Sequence, residues 1–178
     1  AAAAATRGRS LVRPVADGLA TIGVNPADVA DVVITHLHYD HAGNLMLFPR
    51  ARFHVQDSEM AYCTGRAMAH RHLSGPFDVE DVASMVRRIF DGRVVFHAGD
   101  STVCAGVTLH HLAGHTPGLQ VVRVDTARGP VVLASDATHF WANLQRETPY
   151  PIVADVPAYL DSLRKLRSLA PSMDHIIP

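Results

Sequence analysis

The run Thr35-His36-Leu37-His38-Tyr39-Asp40-His41-Ala42-Gly43-Asn44 constrains this chain more than any other segment. Four potential metal ligands fall within six residues, in the pattern H-x-H-x-D-H. They follow Asp31-Val32-Val33-Ile34-Thr35, a β-branched run that reads as a buried strand. A loop leaving the end of such a strand can aim several side chains at one point. Imidazole suits zinc, iron, cobalt or nickel, and carboxylate adds a harder oxygen. So short a loop does not comfortably wrap one tetrahedral ion with all four groups. His36 and His38 are therefore expected to face one ion, and Asp40 and His41 a second. The plain alternative is a polar loop in a chain that holds 12 histidines. Further ligand candidates downstream argue against it.

The first of these sits in Ala113-Gly114-His115-Thr116-Pro117-Gly118, after the strand-like run Val107 to Leu112. Gly and Pro on both sides of one His indicate a tight turn holding one imidazole. The second ends the apolar run Val131-Val132-Leu133-Ala134-Ser135-Asp136. A carboxylate at the end of a buried strand is costly unless paired or metal-bound. Its two oxygens would let Asp136 bridge two cations. Alone, His115 reads as a turn histidine and Asp136 as a helix cap; their value lies in the set.

H-x-H-x-D-H, then G-H-T-P-G, then S-D-A resembles the metallo-β-lactamase-fold hydrolase superfamily, over residues 31–178. Within it the chain looks most like the N-acyl-homoserine lactonase branch. The segment Phe48 to Gln56, a strand followed by a helical insertion, and the spelling of the last two motifs carry that part of the likeness. The resemblance implies an α/β fold, an αβ/βα sandwich, as a single domain. It also implies a dinuclear site: His36, His38 and His115 on the first metal, Asp40 and His41 on the second, Asp136 bridging. Two divalent ions are implied, zinc before iron, cobalt or manganese. The family's further ligand is a His in a P-G-H segment after a late strand, and His175-Ile176-Ile177-Pro178 reads as that strand and its Pro. The expectation is that part of the N-terminal half of the sandwich and this last ligand segment lie outside the sequence. Ala1 to Ala5 reads either as a helix start or as unassigned backbone.

A bound divalent cation lowers the pKa of water from 15.7 to roughly 7, and two ions can share the resulting hydroxide. The resemblance thus implies a hydrolase that uses a bridging hydroxide and opens a lactone ring. Asp40 is the candidate proton shuttle to the leaving alkoxide, or a ligand alone. A Tyr stands three residues beyond the bridging Asp in the lactonase branch; here that position is His139. Histidine can still donate to an oxyanion, with a different reach. His139 is therefore a candidate catalytic and substrate-contacting residue. Phe140 and Trp141 are candidate walls of an acyl pocket, or ordinary helix-face residues. Met60, Tyr62, Met68 and Phe77, around the insertion at 61–77, are candidate apolar liners, with plain packing the default for each. His70 and His72 fall outside every family motif. Other hydrolases on the same scaffold remain alternatives: a glyoxalase II-type thioesterase, a phosphodiesterase or an arylsulfatase-like enzyme. A scaffold with an incomplete metal site is the non-enzymatic alternative.

Composition narrows the field of partners. A length of 178 residues suffices for one buried core, and 48% hydrophobic with 19% charged residues is ordinary for a globular domain. A net charge of -1 argues against a nucleic-acid surface. No apolar stretch approaches a membrane span. A small ester or lactone is the expected partner, and the resemblance extends to a homodimer. Cys63 and Cys104 form no C-x-x-C pair and fall in no ligand motif, which fits cytoplasmic free thiols and disfavours the β-lactamases with a Cys ligand.

The layout alternates helix and strand. Helices are expected at 13–22, at 26–30 as one turn, at 42–47, from Asp57-Ser58-Glu59 onward, at 79–90 and after Asp155 with Pro157 in its first turn. Val82, Met85, Val86 and Ile89 mark the buried face of the fifth of these, and Tyr159, Leu160, Leu163, Leu166 and Leu169 that of the last. Strands are expected at 31–35, 52–56, 93–97, 102–112, 119–125 and 131–135.

Overall fold

In the computed structural model the described residues are Gly8, Ser10 and residues 12–178. The alanine run at 1–5 lies outside them. A short helix α1 (Val15–Ala20) precedes β1 (Asp31–Val33). Then come α2 (Tyr39–Ala42), β2 (Arg52–Gln56), α3 (Asp57–Cys63), α4 (Arg71–Ser74), α5 (Val79–Phe90) and β3 (Val94–His97). The second half runs β4 (Ser101–Cys104), β5 (Val107–His111), β6 (Gln120–Thr126), β7 (Gly129–Leu133), α6 (Trp141–Arg146), α7 (Val156–Ser168) and β8 (Ile176–Ile177).

Two sheets result. β1, β2 and β3 form a parallel sheet in that order, with Val33 opposite His54 and Phe53 opposite Val94. β4 through β8 form a five-stranded sheet in sequence order, antiparallel except for the last pair, where Val132 lies opposite Ile176. Each sheet carries its own core. Ile34, Leu37, Phe53, Val55 and Met85 fill the first, and Leu119, Val121, Val132, Tyr159, Leu163 and Leu166 the second. Each such fully buried side chain contributes about 1.5–3 kcal/mol. This is the α/β sandwich that the motifs imply.

The helices follow from their ends and faces. α5 begins where the Asp78 side chain accepts from the Glu80 backbone N–H at 2.8 Å, and carries acids in its first turn and arginines in its last. Met85 is its buried apolar residue, with Val82, Val86 and Ile89 packed at the core margin. α7 begins at Asp155, which accepts from Ala158 N–H at 2.9 Å, and buries Tyr159, Leu163 and Leu166. Leu160 and Leu169 are partly buried beside them.

Two elements differ from the sequence expectation. The strand at 102–112 is a hairpin: Cys104 faces Val107 across Ala105-Gly106, with Gly106 at φ +77. A two-residue turn with one glycine is a weak interruption in a long β-branched run. The helix at 42–47 is instead α2 followed by a separate helical turn at Leu45–Leu47, because Asn44 takes the left-handed conformation at φ 66.

A pair of buried amides joins the sheets. Gln56 Nε2 donates to Gln120 Oε1 at 2.9 Å, and Gln120 Nε2 donates to the Ile34 and His54 carbonyls at 2.9 and 3.0 Å. The Gln120 N–H also reaches the Thr35 carbonyl at 2.9 Å. β1 and β2 are thereby locked to β6 where the loop bearing His36 and His38 departs.

Candidate metal centre

Three loops meet beyond the strand ends. The first leaves β1 through Thr35 and carries His36, His38, Asp40 and His41. The second follows β5 and carries His115; the third follows β7 and carries Asp136. His36, His38, His115 and Asp136 each present one donor atom, and these all lie within 4.8 Å of one another. His115 Nε2 is 3.0 Å from His38 Nδ1 and 3.2 Å from Asp136 Oδ2. His36 Nε2 is 3.8 Å from the same carboxylate oxygen. On the other oxygen, Asp136 Oδ1 is 3.3 Å from His41 Nε2, and His41 Nε2 is 3.9 Å from Asp40 Oδ1.

The loops are held by groups that do not themselves face the cluster. Buried Glu59, in the first turn of α3, accepts from the Leu37 N–H at 2.8 Å, the Thr116 hydroxyl at 2.6 Å and the Gly118 N–H at 3.2 Å. One carboxylate thus ties the H-x-H loop to the G-H-T-P-G loop. Glycine is required at both ends of that second motif. A Cβ on Gly118 would stand 2.1 Å from the Glu59 nitrogen, and one on Gly114, at φ +135, would stand 2.4 Å from the Tyr159 Cα. The His115 Nδ1–H donates to the Ile152 carbonyl at 2.7 Å, which leaves the Nε2 lone pair aimed into the cluster. Ser135, at φ 47, places its hydroxyl 3.0 Å from that of Thr35, which lies 3.3 Å from His36 Nδ1. A left-handed serine beside a site carboxylate is stored backbone strain of about 1–3 kcal/mol.

Proton affinities follow the geometry. Burial, then the neighbouring imidazoles, hold His36 well below the ordinary histidine value. Burial, then His115, push His38 down to about 3. Burial opposes the charged form of His41, but the Asp136 hydrogen bond and charge, with Asp40, outweigh it and raise its pKa. Burial would raise Asp136, but its close contacts with the His115, His139 and His41 rings hold it far below the usual carboxylate range. Burial raises Glu59 against its three hydrogen bonds. His36 and His38 are therefore held neutral beside an ionised Asp136, which is the protonation state that a divalent cation requires of them. His36 Nε2 is buried with no hydrogen-bond partner, as expected of a nitrogen reserved for a cation. These residues fit a divalent metal.

The remaining sequence candidates separate. His139 joins the site, its Nε2 3.0 Å from Asp136 Oδ2. A cavity of about 380 Å³ opens beside the cluster, lined by Asp40, Asp136, His139, Tyr150 and Ile152 among others. Phe140 and Trp141 do not line it and are 60% and 55% exposed. The Trp141 indole N–H donates to the Ile176 carbonyl at 3.2 Å, which pins α6 to β8. Met60 is buried in the first core, and Met68 and Phe77 line a separate hollow with Val79 and Val82. Phe77 also lies edge-on to His38 at 4.7 Å. His70 and His72 are exposed and outside the cluster. Glu59 and Tyr150 escape the sequence reading: an acid in a first helical turn reads as a dipole partner, and Tyr150 lies in an irregular segment.

Residues 3–173 match the metallo-beta-lactamase superfamily. An N-acyl homoserine lactonase of Bacillus sp. is 30% identical over 152 residues, 85% of this chain and 55% of that protein. N-acyl homoserine lactonase AiiA of Bacillus thuringiensis subsp. kurstaki is 28% identical over 160 residues, 89% of this chain and 58% of that protein. An N-acyl homoserine lactone hydrolase solved with N-hexanoyl-L-homoserine at its catalytic metal center superposes at a TM-score of 0.74, with 27% identity. That match covers 92% of this chain and 60% of the other. The chain spans little more than half the length of the curated relatives it matches.

Proposed function

This chain belongs to the metallo-beta-lactamase superfamily, and on that premise we propose that it carries the metal-dependent hydrolytic centre of a lactonase. The observation that carries this reading is the convergence of His36, His38, His115 and Asp136 at one buried point beside an open cavity. Those four residues would hold one divalent ion, and Asp40 and His41 a second that shares Asp136. Zinc is the first choice for three nitrogens and one oxygen, with iron, cobalt or manganese compatible. When bound, such ions supply hydroxide near neutral pH and polarise a carbonyl oxygen.

The chain's own residues do the rest. Asp136 keeps its charge and sets the two halves of the array at a fixed separation. Asp40, its carboxylate 57% exposed at the cavity, would take the proton released by the attacking water and pass it to the departing alkoxide. His139 lines the same cavity, where its ring, held against Asp136, would contact the substrate beside the reacting centre. A small cyclic ester, of which N-acyl-homoserine lactone is the leading example among the relatives, fits the chemistry and the volume.

The test is ring opening followed as proton release, on a panel from short to long acyl-homoserine lactones together with unrelated lactones, by the metal-loaded protein. Fast release on the panel that disappears in Asp136→Asn supports the reading. A protein shown to hold its metals that opens no lactone overturns it and redirects the search to thioesters, phosphodiesters and sulfate esters.

A further inference from the structure

Between α6 and α7 the chain crosses the cavity without regular structure, yet it touches the ligand array twice. The Tyr150 ring stacks on the His139 ring at 3.8 Å with 16° between planes. Two residues on, the Ile152 carbonyl accepts from His115 Nδ1 at 2.7 Å. The segment is then tied down where Ala154 and Asp155 N–H groups reach the Gly114 carbonyl at 2.9 and 3.0 Å. We propose that the strap Tyr150–Ile152 is a positioning element for the metal ligands, with Tyr150 setting the His139 ring against Asp136. This rests on the metal-centre reading given above.

The geometry assigns each contact a separate job. Face-to-face stacking fixes the plane of the His139 ring but leaves rotation within it free. The Nε2 to Asp136 Oδ2 contact at 3.0 Å fixes that rotation. An ionised carboxylate only accepts, so His139 carries its hydrogen on Nε2. His139 Nδ1 is buried with no partner, so the ring has no competing hydrogen bond to turn it away. The oxygen so held, Asp136 Oδ2, is the one that faces His115 at 3.2 Å and His36 at 3.8 Å. One strap therefore orients two imidazoles around a single ligand oxygen, one through a ring face and one through a carbonyl. Tyr150 is a positioning residue here, acting through His139.

Cobalt(II) reads this directly, because its visible bands report ligand geometry and its affinity reports ligand placement. Tyr150→Phe keeps the ring face and is expected to match the wild type in cobalt affinity and spectrum. Tyr150→Leu keeps apolar bulk without a stacking face, and is expected to weaken cobalt binding by about 10–100-fold and to shift the bands. In a His139→Ala background, Tyr150→Leu is expected to cost almost nothing more, since the two act through one path. Thermal unfolding of each metal-free variant separates misfolding from misplacement. Wild-type affinity and spectrum in Tyr150→Leu would overturn the strap's role, as would a full Tyr150→Leu effect without His139. A wild-type protein that takes up no cobalt overturns the metal-centre reading itself and the strap with it.

Discussion

At one end of the ligand array His36, His38 and His115 are 0%, 5% and 3% exposed, whereas at the other the Asp40 side chain stands 57% exposed and that of His41 26%. All five donors lie on the connections that follow β1 and β5, so their place in the chain order does not explain the difference. What differs is the support behind each end. The buried end is backed by Glu59, the Ile152 carbonyl and the Thr35–Ser135 hydroxyl pair, each reaching in from another part of the chain. The exposed end is one turn of helix, α2, whose donors lean on Asp136, on each other and, among the supports of the buried end, on the Ser135 hydroxyl alone, 3.5 Å from His41 Nδ1. The buried end is thus organised before a metal arrives, and the outer end is completed by Asp136.

The sharpest way to break this contrast is to remove a donor from each end. His36→Ala or His115→Ala is expected to lower metal affinity by more than about 100-fold, beyond the loss typical of an outer supporting group. Asp40→Ala is expected to weaken only the second equivalent. Chelator competition on both variants measures this, and equal losses at both equivalents would erase the distinction. A smaller effect tests the support. Glu59→Ala leaves two backbone N–H groups and a hydroxyl buried without their acceptor, and is expected to cost about 3 kcal/mol or more in urea unfolding. A Glu59→Ala protein as stable as wild type would show that the loops stand without it.

The smallest effect is in pH. His36 and His38 are held neutral in the fold, His38 down to about 3, while an unfolded imidazole titrates near 6.5. The unfolded chain therefore binds more protons at these positions below pH 6.5, and their contribution to stability is lost as pH falls from there toward 3. His41 has a raised pKa, so its contribution is present below 6.5 and is lost as pH rises through its folded value. The two ends oppose one another. In the metal-free protein the melting temperature is expected to fall on acidification less steeply in His38→Asn than in wild type, and more steeply in His41→Asn. Parallel curves for all three would sink the assignment of opposite proton linkage to the two ends.

Which parts were legible in the sequence follows the same division. Donors adjacent in sequence, as in His36 to His41, announce themselves, and Gly and Pro around His115 mark its turn. Both cores were visible as apolar periodicity in α5 and α7. The supporting groups were not, because their meaning lies in partners 22, 57 or 59 residues away, as with Glu59. Gln56 and Gln120 read as polar residues at strand ends, yet they are buried and carry the seam between the sheets. Phe140 and Trp141 are open to two readings in the sequence, pocket wall or helix face, for the opposite reason. Large aromatic residues next to a ligand suggest a pocket wall, but the backbone turns after Thr138 and sends the indole N–H to β8.

Glu59 has a consequence for anyone who would rebuild this protein. It is rooted at the start of α3, and the chain from there through α4 reaches the cavity rim at Gly75 and Pro76. A transplanted segment meant to change substrate range would naturally replace that stretch as a cassette. Cut before Glu59, the cassette would carry away the common tether of both metal loops, and loss of metal would masquerade as loss of specificity. Cut after Cys63, it would leave the tether with the scaffold, and only the rim would be exchanged.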